Sequence, residues 1–276
     1  MRRSFRGKHI IVTGGSSGIG FAMAELFADE GADITLIARN ADGLERAGAL
    51  LAQKGVGVQI YSADVTHPRQ LRNAIGESCA DAGGLYGIIA NSGYCHPGYF
   101  HEISPADVER QVAVNLTGAI FTLQAAIPIL QKSGGGFMAL TSSPAGNAPI
   151  YGFNIYGATK AALNNLSSTL RYEYQDQGIS VHLLLPPDTQ TPGYAREIAM
   201  YPPETRAVLT GGKLFNAEIV GKKFVEGIRR NKKVITVGLE THLLLWASCR
   251  APWLWGAYSR LQINRLRRGL PRLGRK

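Results

Sequence analysis

The chain has 276 residues, 45% hydrophobic and 18% charged, which is enough apolar material for one large core and too much for a disordered chain. Its formal net charge is +10, but eight of those charges fall from Arg250 onward, where there is no acid, so the first 249 residues carry only +2. A balanced body with a basic tail argues against nucleic-acid binding, and three scattered cysteines (Cys79, Cys95, Cys249) form neither a metal-ligand pattern nor a disulfide framework, so no metal is expected.

The N-terminal stretch MRRSFRGKHIIVTGG is basic but runs straight into an apolar strand and a glycine loop. It lacks the apolar region and cleavage site of a signal peptide, so a cytoplasmic protein is expected. Short β-branched runs then alternate with longer helical patterns. Strands are predicted at 9–13 (HIIVT), 34–38 (ITLIA), 58–62 (VQIYS), 87–90 (GIIA), 136–142 (GFMALTS) and 180–186 (SVHLLLP). Helices are predicted from 19, 41 and 69, over 105 to about 130, and over 155 to about 175. This alternation builds βαβ units, and hence an α/β, single-domain, Rossmann-type doubly wound parallel sheet whose ligands gather at the carboxyl ends of its strands.

The motifs fall at those ends. TGGSSGIG (13–20) follows the first strand and opens the first helix, so Gly14, Gly18 and Gly20 allow a tight turn and close approach of a pyrophosphate, with Ser16, Ser17 and Ile19 completing the loop. The second strand ends in LIARN. Where an NAD-dependent enzyme places an acid for the ribose hydroxyl, this chain has Ala38 followed by Arg39, which suits the 2′-phosphate of NADPH. ADVT, after the third strand, offers Asp64 to the adenine amino group and the Val65 backbone to its ring, and ANSG places Asn91 near a ribose.

NIYGATKAAL sets Tyr156 four residues before Lys160, on one helical face. An ammonium beside a phenol should lower the phenol's pKa toward the working pH, as a proton donor to a carbonyl requires. Ser143, in LTSSPAG, can donate to the same oxygen, and Asn115, an amide inside a helix, is a candidate for holding a water that links Lys160 to solvent.

Together TGGSSGIG, ANSG, Asn115, Ser143 and YGATK resemble the short-chain dehydrogenase/reductase family over about residues 7 to 240. The resemblance implies that Tyr156 is the general acid, that Lys160 tunes it and binds the nicotinamide ribose, that Ser143 orients the carbonyl and that Asn115 holds the relay water. Two positions depart from the family pattern. Ser92 replaces the alanine of its N-A-G turn, and Pro187 stands where P-G-x-x-x-T has glycine, although Thr191 keeps the threonine that contacts the nicotinamide amide. LPPDTQTPG followed by PPETR is similar to one subgroup, the 3-ketodihydrosphingosine reductases. That likeness implies NADPH-dependent reduction of a long-chain sphingoid ketone in sphingolipid synthesis. A steroid, retinoid or 3-oxoacyl ketone is the alternative substrate, and a non-catalytic cofactor-binding scaffold the alternative role. Asp188 is open between a partner for the substrate's ammonium and a turn cap.

The domain boundary is expected near 240. Residues 241–276 combine Trp246, Trp253, Trp255 and Tyr258 with arginines, in apolar runs too short to span a bilayer, which fits an amphipathic segment lying on the cytoplasmic face of a membrane. An aromatic patch folding onto the core, or joining a homo-oligomer, is the other reading of the same residues.

Overall fold

The apolar β-branched runs become strands: β1 (His9–Thr13), β2 (Asp33–Ala38), β3 (Val58–Ser62), β4 (Gly87–Ala90), β5 (Gly136–Thr141) and β6 (Ile179–Leu185). The computed structural model describes residues 3–209 and 212–269. Two strand pieces too short to read from sequence, β7 (Thr189–Gln190) and β8 (Phe215–Asn216), pair with each other, and β9 (Val234–Thr236) adds to the main sheet beside β6. The main sheet has seven strands in the order β3-β2-β1-β4-β5-β6-β9, and every pairing is parallel. β1 and β4 are buried along their whole length, as central strands covered on both faces must be.

The helices are α1 (Gly18–Asp29), α2 (Ala41–Ala52), α3 (Pro68–Asp81), α4 (Pro105–Val112), α5 (Gly118–Lys132), α6 (Asn154–Tyr174), α7 (Pro192–Ala199), α8 (Pro203–Leu209), α9 (Ala217–Arg229), α10 (Leu239–Arg250) and α11 (Pro252–Gly269). Apolar stripes of α3, α5 and α6 cover one face of the sheet, around Leu71, Leu123 and Leu163. The other face carries α1, α2 and α9 with Phe27, Leu44 and Phe224. Phe137 packs edge-on to Phe5 there, and a side chain on Gly87 would strike the Phe137 ring at 2.2 Å, so glycine is required in β4.

α4 and α5 are joined by a π turn, Ala113–Thr117, and form one continuous helical rod over Pro105–Lys132. By length and composition that rod could cross a membrane, but here it packs on α3 and β4 and carries Asn115 to the sheet edge. Strand order runs outward in opposite directions from β1 and β4, which makes their carboxyl ends the switch point where α/β sheets bind ligands. The last tail residues, including Arg272, Arg275 and Lys276, lie outside the described residues.

Candidate active site

The turn after β1 is built for a backbone to approach a ligand. Gly14 and Gly18 take φ of 67° and 59°, a region costly for other residues, and a Cβ on Gly20 would sit 2.4 Å from the Gly14 carbonyl oxygen. Asn91 fastens this turn to the sheet: its Nδ2 donates to the Gly14 carbonyl at 3.3 Å, and its Oδ1 accepts from Thr141 Oγ1 at 3.1 Å. Ser16, Ser17 and Ile19 line the same opening, with the first turn of α1 behind them.

Arg39 leaves the end of β2 with its side chain 56% exposed and pairs with Asp64 at 3.6 Å. Burial would raise the Asp64 carboxyl, but two hydrogen bonds from Thr66 and the Arg39 charge outweigh it and leave it below the usual carboxylate range. Val65 lies beside it, and Arg46 of α2, which the sequence reading did not single out, reaches the same cavity.

Asn115 is fully buried in the π turn. Its Oδ1 accepts from the Tyr94 N–H at 2.8 Å, and its Nδ2 donates to the Tyr94 carbonyl at 2.8 Å and to Thr159 Oγ1 at 3.3 Å. The side chain clamps the loop after β4 to α6. Gly93 keeps the adjoining space open: a Cβ there would lie 3.7 Å from Asn115 Oδ1 and 3.8 Å from Lys160 Nζ.

Ser143 follows β5, where its Oγ accepts from the Ala145 N–H at 3.1 Å. In the first turn of α6, Tyr156 lies near Ser143, and Lys160 sits one turn further on, its Nζ 5.5 Å from the Tyr156 ring centroid. Lys160 is 3% exposed, and its ammonium donates to the Thr141 carbonyl at 2.9 Å. The electrostatics differ from the sequence expectation. Burial pushes the Tyr156 phenol well above its usual value, the neighbouring Cys95 and Glu197 add to this, and Ser143 opposes it. Burial also lowers Lys160 to about 8, against the pull of Cys95 and Glu197. Desolvation of the buried phenol is the largest cause of that rise.

On the opposite wall Thr191 caps α7, its Oγ1 accepting from the Tyr194 N–H at 3.1 Å. Its methyl group lies where a Cβ on Gly18 would approach to 3.0 Å, so the Thr191 loop closes against the glycine turn. Asp188 lines the cavity just before β7, and burial raises its carboxyl. Glu197, one α7 turn beyond Tyr194, accepts from the Tyr201 hydroxyl at 2.7 Å, and burial raises it to about 7. Sequence reasoning missed Glu197. The only signal was its helical spacing from Tyr194 in a segment that had not been read as a helix.

Apart from Gly20 and Asn115, which are not in its lining, the predicted site residues share one cavity of about 1440 Å³ running from Arg39 to Trp255 and Tyr258 of α11. It joins a glycine-rich turn over a switch point to a phenol, a hydroxyl and an ammonium that can manage a proton, the arrangement of a Rossmann-type oxidoreductase. The chain belongs to the short-chain dehydrogenase family, whose model matches residues 8–201. A 3-dehydrosphinganine reductase of Arabidopsis thaliana is 35% identical over 245 residues, covering 87% of this chain and 73% of the relative. A 3-ketodihydrosphingosine reductase of Bos taurus is 30% identical over 248 residues, covering 88% of this chain and 75% of the relative. Among solved structures, a short-chain dehydrogenase/reductase from Burkholderia phymatum in complex with NAD superposes with a TM-score of 0.79 at 25% identity, covering 90% of this chain and 93% of that one.

Proposed function

We propose that the chain reduces 3-ketodihydrosphingosine, or a close long-chain 2-amino-3-ketone, to the amino alcohol with NADPH. The observation that carries the reading is the meeting in one cavity of Ser143, Tyr156 and Lys160 with two carboxylates, Asp188 and Glu197, neither in an ion pair among the described residues. The names of the relatives in Arabidopsis thaliana and Bos taurus agree with it. A steroid or 3-oxoacyl ketone has no amine to answer the carboxylates.

The residues fit a nicotinamide dinucleotide phosphate. The Gly14–Gly20 approach, too close for a Cβ, would leave backbone for a pyrophosphate; Arg39 and Ser16 would take a 2′-phosphate, Asp64, Val65 and Asn91 the adenosine half, and Thr191 and Lys160 the nicotinamide half. When bound, the nicotinamide supplies hydride to the ketone carbon. Tyr156, its proton held tightly by burial, gives that proton to the ketone oxygen as negative charge develops there. Ser143 donates a hydrogen bond to the same oxygen, and the Lys160 ammonium stabilises the phenolate left behind. Asn115 holds the loop and α6 in register, so that Gly93 leaves room beside Lys160 Nζ for its reprotonation.

Residues 7–240 form the reductase body in this reading, and the segment from 241 rests on the cytoplasmic face of a membrane without crossing it. Exposed Leu243, Trp246, Trp253 and Leu254, with Arg250 and Arg260 beside them, support contact with an anionic lipid surface. Reversible contact suffices to collect a lipid ketone from one leaflet. The test is NADPH consumption by purified protein in lipid vesicles, offering a sphingoid ketone, a steroid ketone and a 3-oxoacyl thioester. Preference for the sphingoid ketone and for NADPH over NADH is expected; equal or better turnover of either other ketone would overturn the substrate.

A further inference from the structure

The family match ends at residue 201, yet the far wall of the reaction cavity is supplied by α11. α11 lies along α8 and is tied down by two side chains. Trp255 Nε1 donates to the Pro149 carbonyl at 2.6 Å, and the Tyr258 hydroxyl donates to the Val208 carbonyl at 3.4 Å. The two rings stack with centroids 5.5 Å apart and planes 30° from parallel.

This anchoring decides what the wall can recognise. The one polar atom of each side chain is spent on a backbone carbonyl, so ring surface is what remains to line the cavity. Against the faces of those two rings a hydrocarbon finds apolar contact. The wall is also continuous with the reacting end. Phe153 packs on Tyr156 with centroids 5.7 Å apart, and the same apolar cluster includes Ile150 and Leu209, the chain neighbours of Pro149 and Val208. The cavity, about 1440 Å³, reaches beyond the glycine turn and Lys160 to Leu209, Trp255 and Tyr258.

We propose that Trp255 and Tyr258 form the far end of an alkyl-chain subsite: an unbranched hydrocarbon chain attached to the ketone runs from Tyr156 past Phe153, Ile150 and Leu209 to the Trp255–Tyr258 stack. The identity of the reacting head rests on the function proposed above; the chain subsite does not. The C-terminal helix pair then sets chain-length preference, a property that residues 8–201 alone do not supply.

Two measurements test this. In the first, short-chain and long-chain 2-amino-3-ketones, both kept below micelle formation, are reduced by wild type, Trp255→Ala and Tyr258→Ala, each checked for fold by circular dichroism and for NADPH binding. Losing contact with two or three methylenes should lower kcat/KM for the long-chain ketone by about 10- to 100-fold in Trp255→Ala, with the short-chain value within about twofold of wild type. Equal losses on both ketones, or no loss on the long one, would overturn the subsite.

In the second, Trp246→Phe and Trp253→Phe together leave Trp255 as the only one of the chain's three tryptophans. A bromine-labelled long-chain alcohol should then quench its fluorescence saturably and be displaced by the unlabelled long-chain alcohol, not by a short one. Absence of saturable quenching would overturn the subsite whatever the enzyme reduces. If wild type reduces neither amino-ketone while quenching and displacement persist, the assigned reaction fails and the subsite stands.

Discussion

The Tyr201 hydroxyl donates to Glu197 Oε1 at 2.7 Å, on a cavity wall where that carboxylate meets no cation in an ion pair among the described residues. Burial raises Glu197 from 4.5 to about 7. The folded chain therefore binds this proton more tightly than the unfolded chain does. Its contribution to stability is fully present below the unfolded value and is lost as pH rises through about 7. Glu197→Gln has no such charge to bury. Denaturant midpoints measured from about pH 5 to about pH 8 should fall more steeply for wild type than for the variant, and parallel curves would show that Glu197 does not titrate in this window.

Tyr156→Phe removes the phenol hydroxyl while leaving the ring packed against Phe153. Turnover should fall by about 10² to 10⁴-fold with NADPH binding retained, measured by stopped-flow reduction and fluorescence titration. Full activity would remove Tyr156 from the chemistry.

Most of the sheet was legible because β-branched runs of four to seven residues punctuated by glycine have few other uses, and the glycine turn, Asn115, Ser143, Tyr156 and Lys160 carry local patterns. The segment after β6 was not legible. α7 and α8 are only eight and seven residues long, and β7 and β8 two each, so no period develops. Glu197 was missed with them. The fold-back of α11 rests on Trp255 meeting Pro149 106 residues away, a contact that no local pattern encodes, and the same tryptophan reads equally well as interfacial. The direction of the Tyr156 shift depends on how much water the fold excludes, which residue spacing does not state.

Arg39 pairs with Asp64 and is the cation that the proposed function assigns to the 2′-phosphate. Arg39→Ala should weaken NADPH by about 1.5–3 kcal/mol, the worth of a charged hydrogen bond, while leaving NADH nearly unchanged. Titration of both cofactors checks this. Equal losses would mean that Arg39 acts by holding Asp64 in place.

The membrane reading concerns the outward face of the C-terminal helices, where Trp246 and Trp253 are 61% and 67% exposed. Replacing both by alanine should lower partition onto anionic vesicles by about tenfold or more and leave NADPH binding in solution unaltered. Sedimentation with anionic and neutral vesicles distinguishes the outcomes. Unchanged binding would remove Trp246 and Trp253 from the membrane contact.

Asp188 separates recognition of an amine from a turn cap. A cap would accept a hydrogen bond from the following backbone, but no hydrogen bond to the Asp188 carboxylate is found among the described residues. The neighbouring Thr189 hydroxyl bonds the Pro187 carbonyl at 2.6 Å, and Asp188 serves the turn only through its own carbonyl, which accepts from the Phe215 N–H at 2.9 Å. The carboxylate is left facing the cavity, near Glu197 and Tyr156, where burial strengthens any charge pairing it makes. Asp188→Asn keeps the shape and the backbone contact and removes the charge. Catalytic efficiency on the 2-amino-3-ketone should fall by about 10- to 100-fold, while a neutral ketone of equal chain length is reduced within about twofold of the wild-type rate. Parallel losses on both ketones would return Asp188 to a role in the turn, and Glu197→Gln, assayed on the same pair, would then show whether the second carboxylate meets the amine alone.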